Sequence, residues 1–246
     1  MSHYRVALIR RPHQDADEML AKYSERLEVK PYIRLSRKEA LREAADTIAK
    51  YADGTYKNSS KNWGEILAKA KETSEDELIK LYAEYCGREL DKDGNQLSTY
   101  NPLSKYDYYG ELETFDTLSE YIKEHPNGGS KNAIYKARVL WRYVVEGKPL
   151  PKKYEKDDYF QFHYDKKYYL KKYGNIDLFV KMMTSNVPAY AFVLDGEWYA
   201  PGEVGWFASE SIAGVEETKK FLNTWENVQK DPQLLNSELI IYDMHI

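Results

Sequence analysis

Alternating apolar and polar residues mark both ends of this chain, and helical spacing fills most of what lies between. Residues 3–10 put Tyr4, Val6 and Leu8 on one side and His3, Arg5, Ala7 and Ile9 on the other, the period of a β-strand. Glu238–His245 has the same character at the far end. Pro188–Leu194 reads as a further strand, turned back at Asp195-Gly196 into Glu197–Tyr199, because that dipeptide suits a two-residue hairpin. Met19, Leu20, Tyr23 and Leu27 give helical spacing over residues 17–28, and Ser36 with Glu39 forms a capping box for a helix reaching about Tyr51. Helical runs follow from Trp63 to Lys71, from Ser74 to Tyr85, over Thr117–Glu124, over Asn132–Val145 and over Val215–Val228.

These elements predict one α+β domain over residues 1–246. Its sheet should be small, mostly antiparallel and split β-α-β-like, with the terminal strands adjacent and several helical insertions. Antiparallel pairing of the chain ends has a chemical consequence. Asp243 and His245 share a face of the last strand, His3 and Arg5 share one of the first, and directly opposed residues point the same way. Two imidazoles, a guanidinium and a carboxylate then meet at one end of the sheet. They could hold an anionic ligand or act on one as general acid and base. The same four residues also describe a solvated sheet corner held by an Arg5–Asp243 pair. His3, Asp243 and His245 resemble a two-histidine, one-carboxylate metal set only by a spacing common in strands, so no metal is expected.

Composition narrows the function classes. The 246 residues are 42% hydrophobic and 14% aromatic, as a folded chain requires, and the net charge of -4 disfavours long nucleic acids and anionic membranes. No run approaches the roughly 20 apolar residues of a membrane span. A single cysteine, Cys86, excludes an internal disulfide and suits the cytoplasm. Tyrosine is over-represented at 23 residues, and from Lys152 to Lys172 seven lysines interleave with tyrosines against four acids. Such a segment can stack a base and hold its phosphates, or form a solvated strand and helix. Asp91-Lys92-Asp93-Gly94-Asn95 starts like a calcium loop but lacks the glycine and the closing glutamate, so it reads as a turn. Phosphate-cradling glycine loops, nucleophile elbows and zinc motifs are absent from the sequence, and no cofactor is expected.

Several runs stand out in order along the chain. They are Met1-Ser2-His3-Tyr4, Leu20-Ala21-Lys22-Tyr23, Leu27-Glu28-Val29 with Pro31-Tyr32-Ile33, and Tyr100-Asn101-Pro102-Leu103-Ser104-Lys105-Tyr106-Asp107-Tyr108-Tyr109. With Gly174-Asn175-Ile176-Asp177, Asp195-Gly196-Glu197-Trp198, Gly202-Glu203-Val204-Gly205-Trp206-Phe207 and Asp243-Met244-His245-Ile246, they resemble a family of uncharacterised phage and prophage proteins. Where that family has Gly-Gly-Arg-Trp, this chain has Leu112-Glu113-Thr114-Phe115, losing an arginine suited to phosphate.

The resemblance adds Asn101, Lys105, Asp107, Tyr109, Asp177, Trp198 and Trp206 to Arg5 as candidate ligand-binding residues. It implies an accessory protein in the cytoplasm of an infected or lysogenic bacterial host, binding a small anionic, nucleotide-like molecule and sequestering a host defence signal. A hydrolase is the alternative, with His3 and His245 as base and acid oriented by Asp243 and Asp107. Inhibition of a host protein through a tyrosine-rich surface is the third reading. Whether the protein is an enzyme, and whether it forms a homo-oligomer, stay open at this point.

Overall fold

The computed structural model describes residues 3–57, 61–204, 210–211 and 214–245. In chain order the elements are β1 (His3–Arg10), α1 (Ala16–Ala21), β2 (Tyr32–Leu35), α2 (Arg37–Ala52), α3 (Trp63–Thr73), α4 (Glu75–Cys86) and β3 (Gln96–Ser98). Then come β4 (Tyr108–Phe115), α5 (Leu118–Glu124), α6 (Lys131–Val144), α7 (Asp158–Gln161), α8 (Lys166–Tyr173) and α9 (Ile176–Thr184). The chain continues through β5 (Ala191–Leu194), β6 (Glu197–Tyr199), β7 (Glu203–Val204), β8 (Glu210–Ser211), α10 (Val215–Lys230) and β9 (Glu238–His245). The protein is of the α+β class. Where the hydrophobic pattern predicts one domain, contacts sort the chain into two compact units, Met1–Arg26 with Leu103–Ile246 and Leu27–Pro102.

The first unit is built on a five-stranded sheet of order β4-β9-β1-β5-β6. β1 and β9 pair antiparallel over their whole length, from His3 opposite His245 to Arg10 opposite Glu238. β4 lies antiparallel on the other side of β9, so β1 and β4 run parallel with β9 between them, the expected split arrangement. β1 also pairs in parallel with β5, a contact that local pattern does not reveal.

Alternation then decides the packing. Ala7, Ile9, Leu239, Ile241 and Phe192 form one core with Leu118 and Tyr121 of α5 and Phe221, Leu222 and Trp225 of α10. Val6, Leu8, Ile240, Tyr242 and Met244 form another, with Met19 and Leu20 of α1, Tyr23 and Tyr106. Each fully buried large apolar side chain contributes about 1.5–3 kcal/mol of transfer free energy. The expected helix over residues 17–28 stops at Ala21, because the Tyr23 carbonyl accepts from Lys105 N–H and Glu25 N–H donates to Tyr106.

Asp195 and Gly196 both take positive φ, 49° and 74°, as a type I′ turn between β5 and β6 demands. Arg11 clamps the Asp195 carboxylate through Nε and Nη2 at 3.0 Å each, and Gln14 adds a bond at 3.1 Å. The guanidinium and that amide hold the Asp195 carboxyl below its usual range.

The lysine- and tyrosine-dense segment builds a core of its own. Tyr154, Phe160, Tyr168, Tyr169 and Tyr173 are buried with Leu140 and Trp141 of α6 and Phe179 of α9. Even Lys172 is only 4% exposed, its Nζ 3.1 Å from the Tyr168 hydroxyl.

In the second unit α2, α3 and α4 pack through Ala40, Ala44, Leu67, Ala70, Leu78 and Tyr82. Small residues permit close approach: a Cβ added at Gly64 would lie 2.8 Å from that of Tyr51. Ser36 and Glu39 form the expected capping box, and β2 pairs antiparallel with β3. Asp91 forms the expected turn, its carboxylate accepting from the backbone of Asp93 and Asn95.

Candidate functional site

One end of the five-stranded sheet gathers the polar groups that the sequence analysis brings together. His3 stands opposite His245 and Arg5 opposite Asp243, while β4 sets Tyr108 opposite His245 and Gly110 opposite Asp243. Opposed residues share a face, so Tyr108–His245–His3 and Gly110–Asp243–Arg5 form two adjacent rows. The ladder continues past β4, since Asp107 N–H donates to the His245 carbonyl at 3.0 Å.

Within these rows each histidine has its own aspartate. His3 Nδ1 lies 2.9 Å from Asp243 Oδ2, a diagonal cross-strand contact, and His245 Nδ1 lies 2.8 Å from Asp107 Oδ1. Among the described residues Asp243 pairs with His3, and the directly opposed Arg5 makes no ion pair. A carboxylate accepting from Nδ1–H leaves Nε2 as the other functional atom of each ring.

The two rings differ in access. The His3 side chain is 53% exposed and that of His245 is 3% exposed. His245 lies stacked against Tyr108, with ring centroids 4.3 Å apart and 12° between planes, and meets His3 edge-on at 5.0 Å. Its Nε2 is buried with no hydrogen-bond partner among the described residues. His3, Arg5, Tyr108 and Gly110 are exposed, and a Cβ at Gly110 would meet nothing within 4 Å, so a shelf stands open beside Asp243. An exposed imidazole, a guanidinium and an aromatic face can together receive an oxyanion attached to a planar group.

Lys105, two residues before Asp107, is half-buried, and its backbone is fixed. Its carbonyl accepts from the Tyr4 hydroxyl at 2.5 Å and its N–H donates to the Tyr23 carbonyl at 2.7 Å. The remaining candidates are dispersed. Tyr109 stands on the opposite face, its hydroxyl donating to Asp17 and its ring against Tyr106 and Tyr242. Burial, reinforced by the Asp17 carboxylate, raises the Tyr109 phenol's pKa. Trp198 packs with Tyr23 in the core of that same opposite face. Asp177 is an exposed residue in the first turn of α9, 3.8 Å from Arg138. Asn101 belongs to the second unit and is buried. Trp206 lies outside the described residues.

Two members of the shelf, Tyr108 and Gly110, escape sequence reasoning. Strand parity would have chosen Tyr108 over Tyr109, but β4 carries Gly110, Glu111 and Glu113 and shows no apolar alternation. Among the described residues no group of three His, Cys, Asp or Glu side chains could hold a metal ion, and no helix is long and apolar enough to cross a membrane. No known protein family, curated protein or solved structure matches the chain.

Proposed function

We propose that the open end of the sheet binds a small anionic, nucleotide-like ligand. The reading rests on one observation: an exposed His3, oriented by Asp243, lies beside Arg5, which makes no ion pair among the described residues, with the exposed Tyr108 in the same row as His3. His3 and Arg5 would donate to phosphate oxygens, and Tyr108, whose inner face is taken by His245, would offer its exposed edge to a base. His245, buried and paired with the half-buried Asp107, supports the floor of the shelf. The runs that resemble phage and prophage proteins would suit an accessory role in a bacterial cytoplasm, such as withholding a host signalling nucleotide. The dispersal of Tyr109, Asp177 and Trp198 narrows the site to the sheet end.

Hydrolysis of the same ligand is the second reading, favoured by the Asp-oriented imidazole of His3. There His3 would move the proton and Arg5 would stabilise developing charge. His245, with Nε2 enclosed, would position and not exchange protons with substrate. Incubating the protein with cyclic and ADP-ribose-type nucleotides, then denaturing it and weighing the released ligand, separates the readings. Intact ligand, lost from His3→Ala and Arg5→Ala proteins, supports binding, and fragments support hydrolysis. Retention unchanged by both substitutions would sink the site.

A further inference from the structure

A second cleft lies wholly within the Leu27–Pro102 unit, between the β2–β3 ribbon and the C-terminal end of α4. Its volume of about 510 Å³ falls within the roughly 300–1,000 Å³ usual for small-molecule sites. Tyr32, Arg34, Arg88, Glu89, Ser98 and Tyr100 are among its lining residues. Two guanidiniums against one carboxylate make it locally cationic, in contrast with the chain's net charge of -4.

Each arginine is there for a structural reason. Arg34 sits at an irregularity of the ribbon, where the register passes from Ile33 opposite Leu97 to Leu35 opposite Gln96. Such bulges re-aim a side chain. Arg34 is exposed and makes no ion pair among the described residues. Arg88 follows Gly87, whose left-handed conformation ends α4, and its Nη1 donates to Gln96 Oε1 at 3.0 Å. Gln96 is fully buried, so it fixes that guanidinium from behind. Two of the carbonyls at this helix end are engaged, which softens their repulsion of an anion: Gly87 N–H donates to Glu84 at 3.0 Å and Arg88 N–H to Ala83 at 2.9 Å.

We infer that this cleft is a second ligand site, independent of the histidine shelf, for an oxyanion carried on an aromatic group. Arg34 and Arg88 take the oxyanion, for which a planar guanidinium is suited, and Tyr32 and Tyr100 flank the ring. Titration calorimetry in a His3→Ala/Arg5→Ala background tests it, with AMP as probe and ribose 5-phosphate and adenosine as its halves. AMP should bind one to one, each half at least tenfold more weakly, and Arg34→Ala should weaken AMP at least tenfold with an unchanged melting temperature. Arg88→Lys, which keeps charge but loses the fork, should weaken it in the same direction. Absence of AMP binding, equal binding by either half, or an Arg34→Ala protein that binds as the parent does would overturn the inference.

Discussion

Along β1 and β9 a single sheet face carries two kinds of surface. Ala7, Ile9, Leu239 and Ile241 lie in a core completed by Phe221, Leu222 and Trp225. A few residues further, with the same ladder unbroken, His3 and Arg5 stand exposed beside Asp243. The backbone is alike in the two regions. The difference is whether helix α10 supplies apolar cover. Where it does, the face contributes stability. Where it does not, the face keeps polar groups in fixed geometry at little cost to the fold, because the ladder positions them.

Truncation should divide the two regions cleanly. Trp225→Ala removes a side chain that is 1% exposed and whose Nε1 donates to Asn186 Oδ1 at 2.9 Å. It should cost about 3–5 kcal/mol in denaturant unfolding. His245→Ala is the intermediate case: it removes a buried ring, strands Asp107 and unseats Tyr108. The expected loss is about 2 kcal/mol. His3→Ala and Arg5→Ala should leave stability within about 0.5 kcal/mol while lowering nucleotide retention about tenfold in an Arg34→Ala background, where the second cleft is silenced. If His3→Ala destabilised as much as Trp225→Ala, the polar end would be part of the core and the comparison would fail.

The smallest effect concerns acid. Folding lowers the Asp195 pKa, chiefly through Arg11 and then Gln14. A depressed carboxyl contributes stability above its unfolded pKa, near 3.9, and loses it as pH falls through the folded value. Acid unfolding below about pH 4 should therefore be slightly shallower for Asp195→Asn than for the parent. The difference should be a few tenths of a kcal/mol, because the pair is half exposed and screened. Asparagine tolerates the positive φ, so the turn should survive.

What the sequence disclosed follows from the range of its signals. The face on which His3, Arg5, Asp243 and His245 gather was readable because alternation in each terminal strand fixes which residues share a face. The Asp195-Gly196 hairpin and the Ser36 box were readable because both are local. β4 was not: an edge strand with Gly110, Glu111 and Glu113 buries too little to alternate. Without β4, Tyr108 could not be preferred to Tyr109, nor could the open space beside Gly110 be foreseen. The tyrosine- and lysine-rich stretch misled in the other direction. A cation such as Lys172 is expected at the surface, and here it is buried with its Nζ at the Tyr168 hydroxyl.

The most direct test observes the five histidine rings together. In a ¹⁵N-histidine protein titrated with ADP-ribose, the imidazole signals of His3 and His245 should move while those of His13, His125 and His163 stay still. His245 should carry its proton on Nδ1, facing Asp107. Saturable binding that leaves the His3 signal unmoved would contradict the account, whatever else it shifted.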